Sequence, residues 1–397
     1  MLEGKRMNKQ EISRIKKEFK LDGYKVQFKN IYNIYLKKDS KQILHSQQEH
    51  FDMLEDSEKE LYYANFKKVL SGALDTKLFE LDFESDEEAL GEKISTQKIL
   101  YHILNEESTE ESIGELSSKF LEHYVYETDV LLTLIKAEYY GSTGAKRGRR
   151  DEGELDVQDE NVQAFQFLLC SVNKIEAPKR ILKFDFSAME LRASSALDTE
   201  VNLKSPLNGF MFPTLTNGYS DVNKVLLYTT KPVEESYEVV SEILTCKMVN
   251  TAATEKDMFT AVLQNTMGDK VTPKLIKNIY DELSERLSED EEEEKNTVDM
   301  KDIKKILDSC GVEDSENIEN AFKDIIGDEK YEFKINNILP DQKTKSIKIT
   351  SDTAMITITP KDLDCVKQIK NENGVKCLVI ELYDDVIVDG FKVDTEE

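Results

Sequence analysis

Gly209-Phe210-Met211-Phe212-Pro213-Thr214-Leu215-Thr216-Asn217-Gly218-Tyr219-Ser220-Asp221-Val222-Asn223 stands out from a chain that is 33% charged. It sets three large apolar residues, a proline and an Asn-Gly pair between two apolar runs. Proline fixes one backbone angle, and Asn-Gly is favoured where positive φ is required. The stretch reads as a strand at 210–212, a tight corner, and a second strand at 222–228, with Phe210, Met211 and Phe212 contributing to a core. A functional reading makes the same corner a pocket edge, with Phe212 as wall and Asn217, Tyr219, Asp221 and Asn223 supplying hydrogen-bonding groups.

Helical and strand patterns intermingle on either side, so the fold class is α+β: a mixed helical and sheet main body with a small C-terminal helix pair plus β unit. Asn8 and Glu11 form a capping-box pattern ahead of Ile12, Ile15 and Phe19 on one helical stripe. Tyr24, Val26 and Phe28, and later Phe79, Leu81 and Phe83, alternate as half-buried strands. Residues 31–36 and 42–45 suggest a hairpin. Ser57 and Glu60 open a helix at 61–70, and helices are expected at 86–105, at 109–124 behind Ser108 and Glu111, and at 128–140. The last rests on the helical spacing of Val130, Leu131, Leu134 and Ile135. Residues 141–154 read as an exposed loop, followed by strands at 162–172 and 180–186.

Further helices are expected at 234–244, 255–265 and 273–287, the last capped by Thr272 with Pro273 at its first position. Six acids at 289–294 read as a linker. Beyond them come a helix pair at 300–310 and 317–326 and alternating strands at 347–349, 355–358, 377–382 and 386–393. The expected domains are an N-terminal α+β region, 7–140; a central α+β region, 155–288, either separate or sharing one core with the first; an acidic linker, 289–297; and a C-terminal α+β domain, 298–397.

At 397 residues and net charge −26, the chain is large enough for two or three domains and strongly acidic. Residues 1–41 hold twelve Lys or Arg against five Asp or Glu, so this segment is +7 and the remainder −33. An acidic body repels phosphate backbones, which argues against nucleic acid as a partner. No apolar run is long enough to span a membrane, and the N-terminus lacks a secretory h-region, so a cytoplasmic protein without membrane contact is expected.

Five scattered cysteines without a C-x-x-C pair give neither a zinc site nor a disulfide framework. The spacing of His45, His50, His102 and His123 fits no metal-binding helix face. Nucleophile-elbow, Walker and dinucleotide glycine motifs are missing. Asp185-Phe186-Ser187-Ala188-Met189-Glu190-Leu191-Arg192 resembles the first catalytic motif of family A DNA polymerases. Two-metal transfer requires a second carboxylate and a basic helix for the triphosphate. Neither pattern follows, and the segment reads as a strand ending at Phe186. No catalytic residue, metal ligand or cofactor is assigned.

Several stretches together resemble a known family. They are Glu60-Leu61-Tyr62-Tyr63-Ala64-Asn65-Phe66 and the residues up to Leu74, Leu168-Leu169-Cys170-Ser171-Val172, Gly209-Phe210-Met211-Phe212-Pro213, residues 221–228, Cys377-Leu378-Val379-Ile380 and Val388-Asp389-Gly390. The family is bacterial, mainly from Firmicutes: domain-of-unknown-function family 4317. The resemblance runs in order from Met7 over most of the chain. It implies a stand-alone cytoplasmic protein with no assigned activity, and an Asp-Arg pair at the turn where this chain has Gly218-Tyr219.

Three functions are compatible with this reading. The first is a non-enzymatic interaction or regulatory protein with a protein partner. The second is a carboxylate and divalent-metal-dependent hydrolase or nucleotide-processing enzyme. The third is nucleic-acid binding through the basic N-terminus and the cluster Lys146-Arg147-Gly148-Arg149-Arg150.

Overall fold

A computed structural model describes residues 7–84, 95–142, 162–176, 180–185, 187, 189–195, 199–216, 219–289, 296–312, 317–340, 347–352, 354–383, 386–388 and 391–393. The fold is α+β, with an antiparallel sheet plus helices. The chain divides into two compact units, Met1–Thr251 and Ala252–Glu397.

In the first unit α1 (Lys9–Lys17) begins with the expected capping box. Asn8 Oδ1 accepts from the Gln10 and Glu11 amides at 2.9 and 3.0 Å, and Glu11 Oε2 accepts from the Asn8 amide at 3.0 Å. Then come β1 (Val26–Lys37), β2 (Gln42–His50), α2 (Asp56–Val69), β3 (Leu78–Asp82), α3 (Thr96–Leu104), α4 (Thr109–His123), β4 (Val130–Ser142) and β5 (Val162–Glu176). The hairpin β6 (Arg180–Asp185) with β7 (Glu190–Ser195) leads to β8 (Glu200–Val201), β9 (Asn208–Phe212), β10 (Thr214–Thr216), β11 (Tyr219–Asp221) and β12 (Lys224–Thr229). A π-helical turn, Glu238–Ile243, follows.

The main sheet runs β2-β1-β4-β5-β9-β12-β3, with β8 pairing β5, and its pairs are antiparallel. Successive strand residues point to opposite faces. One face gives Leu132, Leu134, Leu168, Cys170, Phe210 and Phe212 to a core shared with α3, α4 and the π-helical turn. The other gives Ile135, Ala137, Phe167, Leu169 and Met211 to a core shared with α1 and α2. Gly209 permits the second packing: a Cβ there would meet Cys170 O at 2.6 Å and both Val69 methyls of α2 at 2.8 Å.

β1 serves both cores through a bulge. Phe28 pairs with Ala137 and Ile31 with Ile135, so three steps on β1 match two on β4. Val26, Phe28 and Ile31 therefore share one core, while Tyr32, Ile34 and Leu36 belong to the other.

Residues 128–140, expected as a helix, form strand β4 instead. A strand covered by helices on both faces is apolar at both odd and even positions, and over a short run this imitates helical spacing. The cap of α2 is Glu55 with Glu58, two residues before the expected Ser57 and Glu60. Ser108 sits at the N-cap of α4 but in the left-handed region and without a side-chain capping bond. The helix expected at 234–244 is the π-helical turn preceded by a 3-10 turn, Val233–Glu235.

The second unit holds α5 (Ala252–Met267), α6 (Pro273–Glu289), β13 (Thr297–Val298), α7 (Met300–Ser309), α8 (Ile318–Ile325), β14 (Phe333–Lys334) and α9 (Ile335–Ile338). Thr272 Oγ1 caps α6 by accepting from the Leu275 amide at 3.2 Å. Phe259, Phe322 and Phe333 meet edge to face, with Phe333 5.4 and 5.8 Å from the other two ring centroids. α5 and α6, which composition grouped with the central region, supply Phe259, Val262, Ile279 and Leu283 to this core. The boundary accordingly falls at 251/252, and most of the expected linker lies outside the described residues.

Glu255 of α5 is buried in this unit. Its Oε1 accepts from the Lys334 amide at 2.8 Å and its Oε2 from Asn337 Nδ2 at 2.6 Å. Three two-stranded hairpins complete the unit: β15 (Ile347–Thr350) with β16 (Met355–Ile358), β17 (Val366–Lys370) with β18 (Lys376–Ile380), and β19 (Val386–Val388) with β20 (Phe391–Val393).

Candidate functional site

α3 and α4 cover the first sheet face only in part. By strand alternation the face that carries Leu132 and Leu134 continues into Lys136 and Glu138, with Gln166 opposite Glu138 on β5. Through its bulge β1 sets Asn30 and Tyr32 on this face. The result is a polar floor where the apolar core ends, bordered by the α3–α4 loop and by the end of β2.

A cleft of about 430 Å³ opens over this floor, lined by Lys29, Asn30, His50, Asp52, Asn105, Glu106, Lys136, Glu138 and Gln166. A neighbouring cleft of about 570 Å³ shares Asn30 and Glu106 and adds Tyr32, Gln48 and the first residues of α4. The two form one grooved region.

Lys136 is the central group. It is 7% exposed, and its Nζ lies 2.8 Å from Glu106 Oε1. An ammonium this far from water needs a counter-charge, which a loop supplies. Glu106 and Ser108 both have positive φ, +61° and +45°, unusual for residues with a Cβ.

Glu138 is held by three groups. Its Oε2 accepts from the Tyr140 hydroxyl at 2.8 Å and lies 3.4 Å from Lys29 Nζ, and its Oε1 accepts from Gln166 Nε2 at 3.3 Å. Burial pushes the Glu138 carboxyl up, but Tyr140, Lys29 and Gln166 together outweigh it and hold the group below its ordinary value of 4.5. It remains an anion at neutral pH and does not serve as an acid there.

Burial, then the charge of Glu106, pushes the Tyr32 phenol up, against a side-chain hydrogen bond from Asn30. Asn30 Oδ1 is buried with no hydrogen-bond partner among the described residues. The cleft thus offers an ammonium, amide groups and a fixed carboxylate, a set suited to recognising a small polar molecule.

The described residues among those singled out by sequence lie elsewhere. Phe212 is wholly buried, its ring 5.8 Å from that of Phe83, and the Phe212–Pro213 peptide is cis. Asn217 lies outside the described residues, and Tyr219 is 77% exposed. Asp221 Oδ1 accepts from the Asn223 amide at 3.0 Å, and Asn223 Oδ1 accepts from Gln97 Nε2 at 3.2 Å. None of the four described residues, Phe212, Tyr219, Asp221 and Asn223, lines either cleft. Asp185 and Glu190 are backbone register partners in the β6–β7 hairpin. The basic cluster at 146–150 is outside the described residues.

Among the described residues no group of three or more His, Cys, Asp or Glu is placed to hold a metal ion. Also among them, no helix is long and apolar enough to cross a membrane. A family model described as Domain of unknown function (DUF4317) matches residues 7–391. The search of curated proteins returned no match.

Proposed function

The chain belongs to domain-of-unknown-function family 4317, and on that premise we propose that it acts by binding, as an interaction or regulatory protein whose first unit takes a small polar ligand in the cleft over β1, β4 and β5. The observation that carries this reading is Lys136, a buried ammonium at the floor of a cleft that Asn30, Asn105 and Gln166 also line. A core position on a central strand gains nothing in stability from an ammonium, so a polar floor here points to recognition.

The net charge of −26 disfavours a polyanionic partner such as nucleic acid. Such repulsion acts at long range and is screened beyond about 8 Å at physiological salt, whereas Lys136 acts at contact distance on whatever enters. The cytoplasm is the compartment we assign, supported by five free cysteines, two of them buried.

Thermal shifts of the full chain against a panel of small carboxylates, phosphates and neutral polar molecules test this reading. A ligand at a hundred times its Kd stabilises by about 2.7 kcal/mol. Saturable stabilisation that Lys136→Met removes, with the ligand recovered unchanged, is expected. Conversion of the bound ligand would overturn the binding role in favour of an enzyme. A flat panel would remove the cleft from consideration.

A further inference from the structure

We propose that the Glu106 carboxylate is a built-in stand-in for the ligand's own anionic group, closing on Lys136 and yielding when a small molecule bearing a carboxylate or phosphate binds. The proposal rests on the binding role given to this cleft above and specifies its ligand class and its control.

The ion pair is lopsided. The Lys136 side chain is 8% exposed and that of Glu106 62%. The cation is fixed in the sheet, while the anion is carried on the short loop between α3 and α4. Withdrawing Glu106 returns a carboxylate to water at little cost, whereas leaving Lys136 unpaired would be expensive. An incoming anion removes that expense by taking the same position 2.8 Å from Nζ. Exchange of one anion for another therefore keeps the buried charge paired before and after.

The surroundings fit an anion larger than a single carboxylate. Lys29, Asn105 and Gln166 line the same cleft and can donate, as can His50. Besides Glu106, two acids of this cleft oppose, Asp52 and Glu138, and Glu110 and Glu111 stand in the neighbouring one. The charge of Glu138 is already met by Tyr140, Gln166 and Lys29, which leaves Asp52 to discriminate against anions that reach the β2 side. A volume of about 430 Å³ suits a compact metabolite rather than a polymer.

Calorimetric titration of the full chain with inorganic phosphate and with citrate tests the inference. In Glu106→Gln the competing carboxylate is gone, so at least one probe should bind on the order of tenfold tighter than to wild type. Asp257→Asn, which removes one exposed acid from the other unit, should leave affinity unchanged. Lys136→Met should abolish binding in both backgrounds; should that variant fail to fold, Lys29→Gln must weaken binding instead.

Equal tightening in Asp257→Asn would reduce the effect to net charge and overturn the stand-in role. Wild-type binding that Glu106→Gln leaves unchanged or weakens would overturn it as well, with the cleft's binding role intact. Absence of binding of either probe to both wild type and Glu106→Gln would overturn the anion class together with the stand-in role, and the neutral ligands of the panel would then decide whether the cleft binds at all.

Discussion

Replacing Glu255 should destabilise the second unit more than replacing any exposed acid on it. The side chain is 2% exposed, and its two oxygens accept from the Lys334 amide at 2.8 Å and from Asn337 Nδ2 at 2.6 Å. Hydrogen bonds to a charged group are worth about 1.5–3 kcal/mol each. Glu255→Ala removes these bonds, together with a weaker one from the Tyr331 hydroxyl at 3.4 Å, and leaves the donors facing a cavity, so about 3–5 kcal/mol is expected, the range for breaking a buried charged contact. A unit of this size loses roughly 2–4 °C of Tm per kcal/mol, which makes the fall about 10 °C. Glu255→Gln keeps the volume and one acceptor but turns an amide N–H₂ toward a donor, at about 1–3 kcal/mol. Scanning calorimetry reads the shift, and hydrogen exchange localises it: protection should drop in α5 and in residues 333–338 and hold in the main sheet. An alanine variant within about 2 °C of wild type, or unchanged protection in those segments, refutes the reasoning.

Gly209→Ala should cost about 1–3 kcal/mol in urea unfolding, because the new methyl meets the Cys170 carbonyl and both Val69 methyls inside ordinary contact distance; full stability would show that α2 is free to move off the sheet. For Asp302, burial pushes the carboxyl up, but Arg286 at 3.4 Å, a backbone bond at Asp299 and Lys305 at 3.6 Å outweigh it and hold it below 3.8. A lowered folded pKa gives stability that is full above the unfolded value and lost as pH falls through the folded one, so Arg286→Gln should flatten Tm against pH on the acid limb, and parallel curves would refute this. Burial and the hydrogen bond to Asp129 at 2.8 Å push the Tyr35 phenol up to about 12. A raised folded pKa means that this contribution is intact below about 10 and lost as pH rises through 12; in difference absorbance the highest-titrating tyrosines should lose one member in Tyr35→Phe.

Local signals were legible where the cause was local. The capping box at Asn8, the Thr272 cap of α6, the hairpin of β1 with β2, and the strands around Pro213 depend on neighbours within a few residues, and each can be read directly. β4 could not be, because its apolar run is explained by helices on both faces, which are contributed by residues far away in sequence. That single misreading also hid the cleft. Lys136 and Glu138 share a face with Leu132 and Leu134 only if the segment is a strand, and their partners Glu106, Gln166 and Lys29 come from three other elements. The corner at 209–223 drew notice for its aromatic content, and Phe210 and Phe212 proved to be core on a strand where alternate residues serve opposite layers. Residue type alone does not separate an aromatic that packs from one that binds.

The extra residue in β1 has a consequence for how this sequence can change length. Between Phe28 and Ile31 the chain switches which layer its apolar side chains feed. Deleting one residue there would turn every side chain from Tyr32 to Leu36 toward the wrong layer, and inserting one would do the same to Val26 and Phe28. Lys29 is partly exposed, so replacing it costs the fold little, but its ammonium faces Glu138 and the cleft. Across relatives the three-residue spacing from Phe28 to Ile31 should therefore be constant while the identities at 29 and 30 vary only as far as both positions still present polar side chains to the cleft.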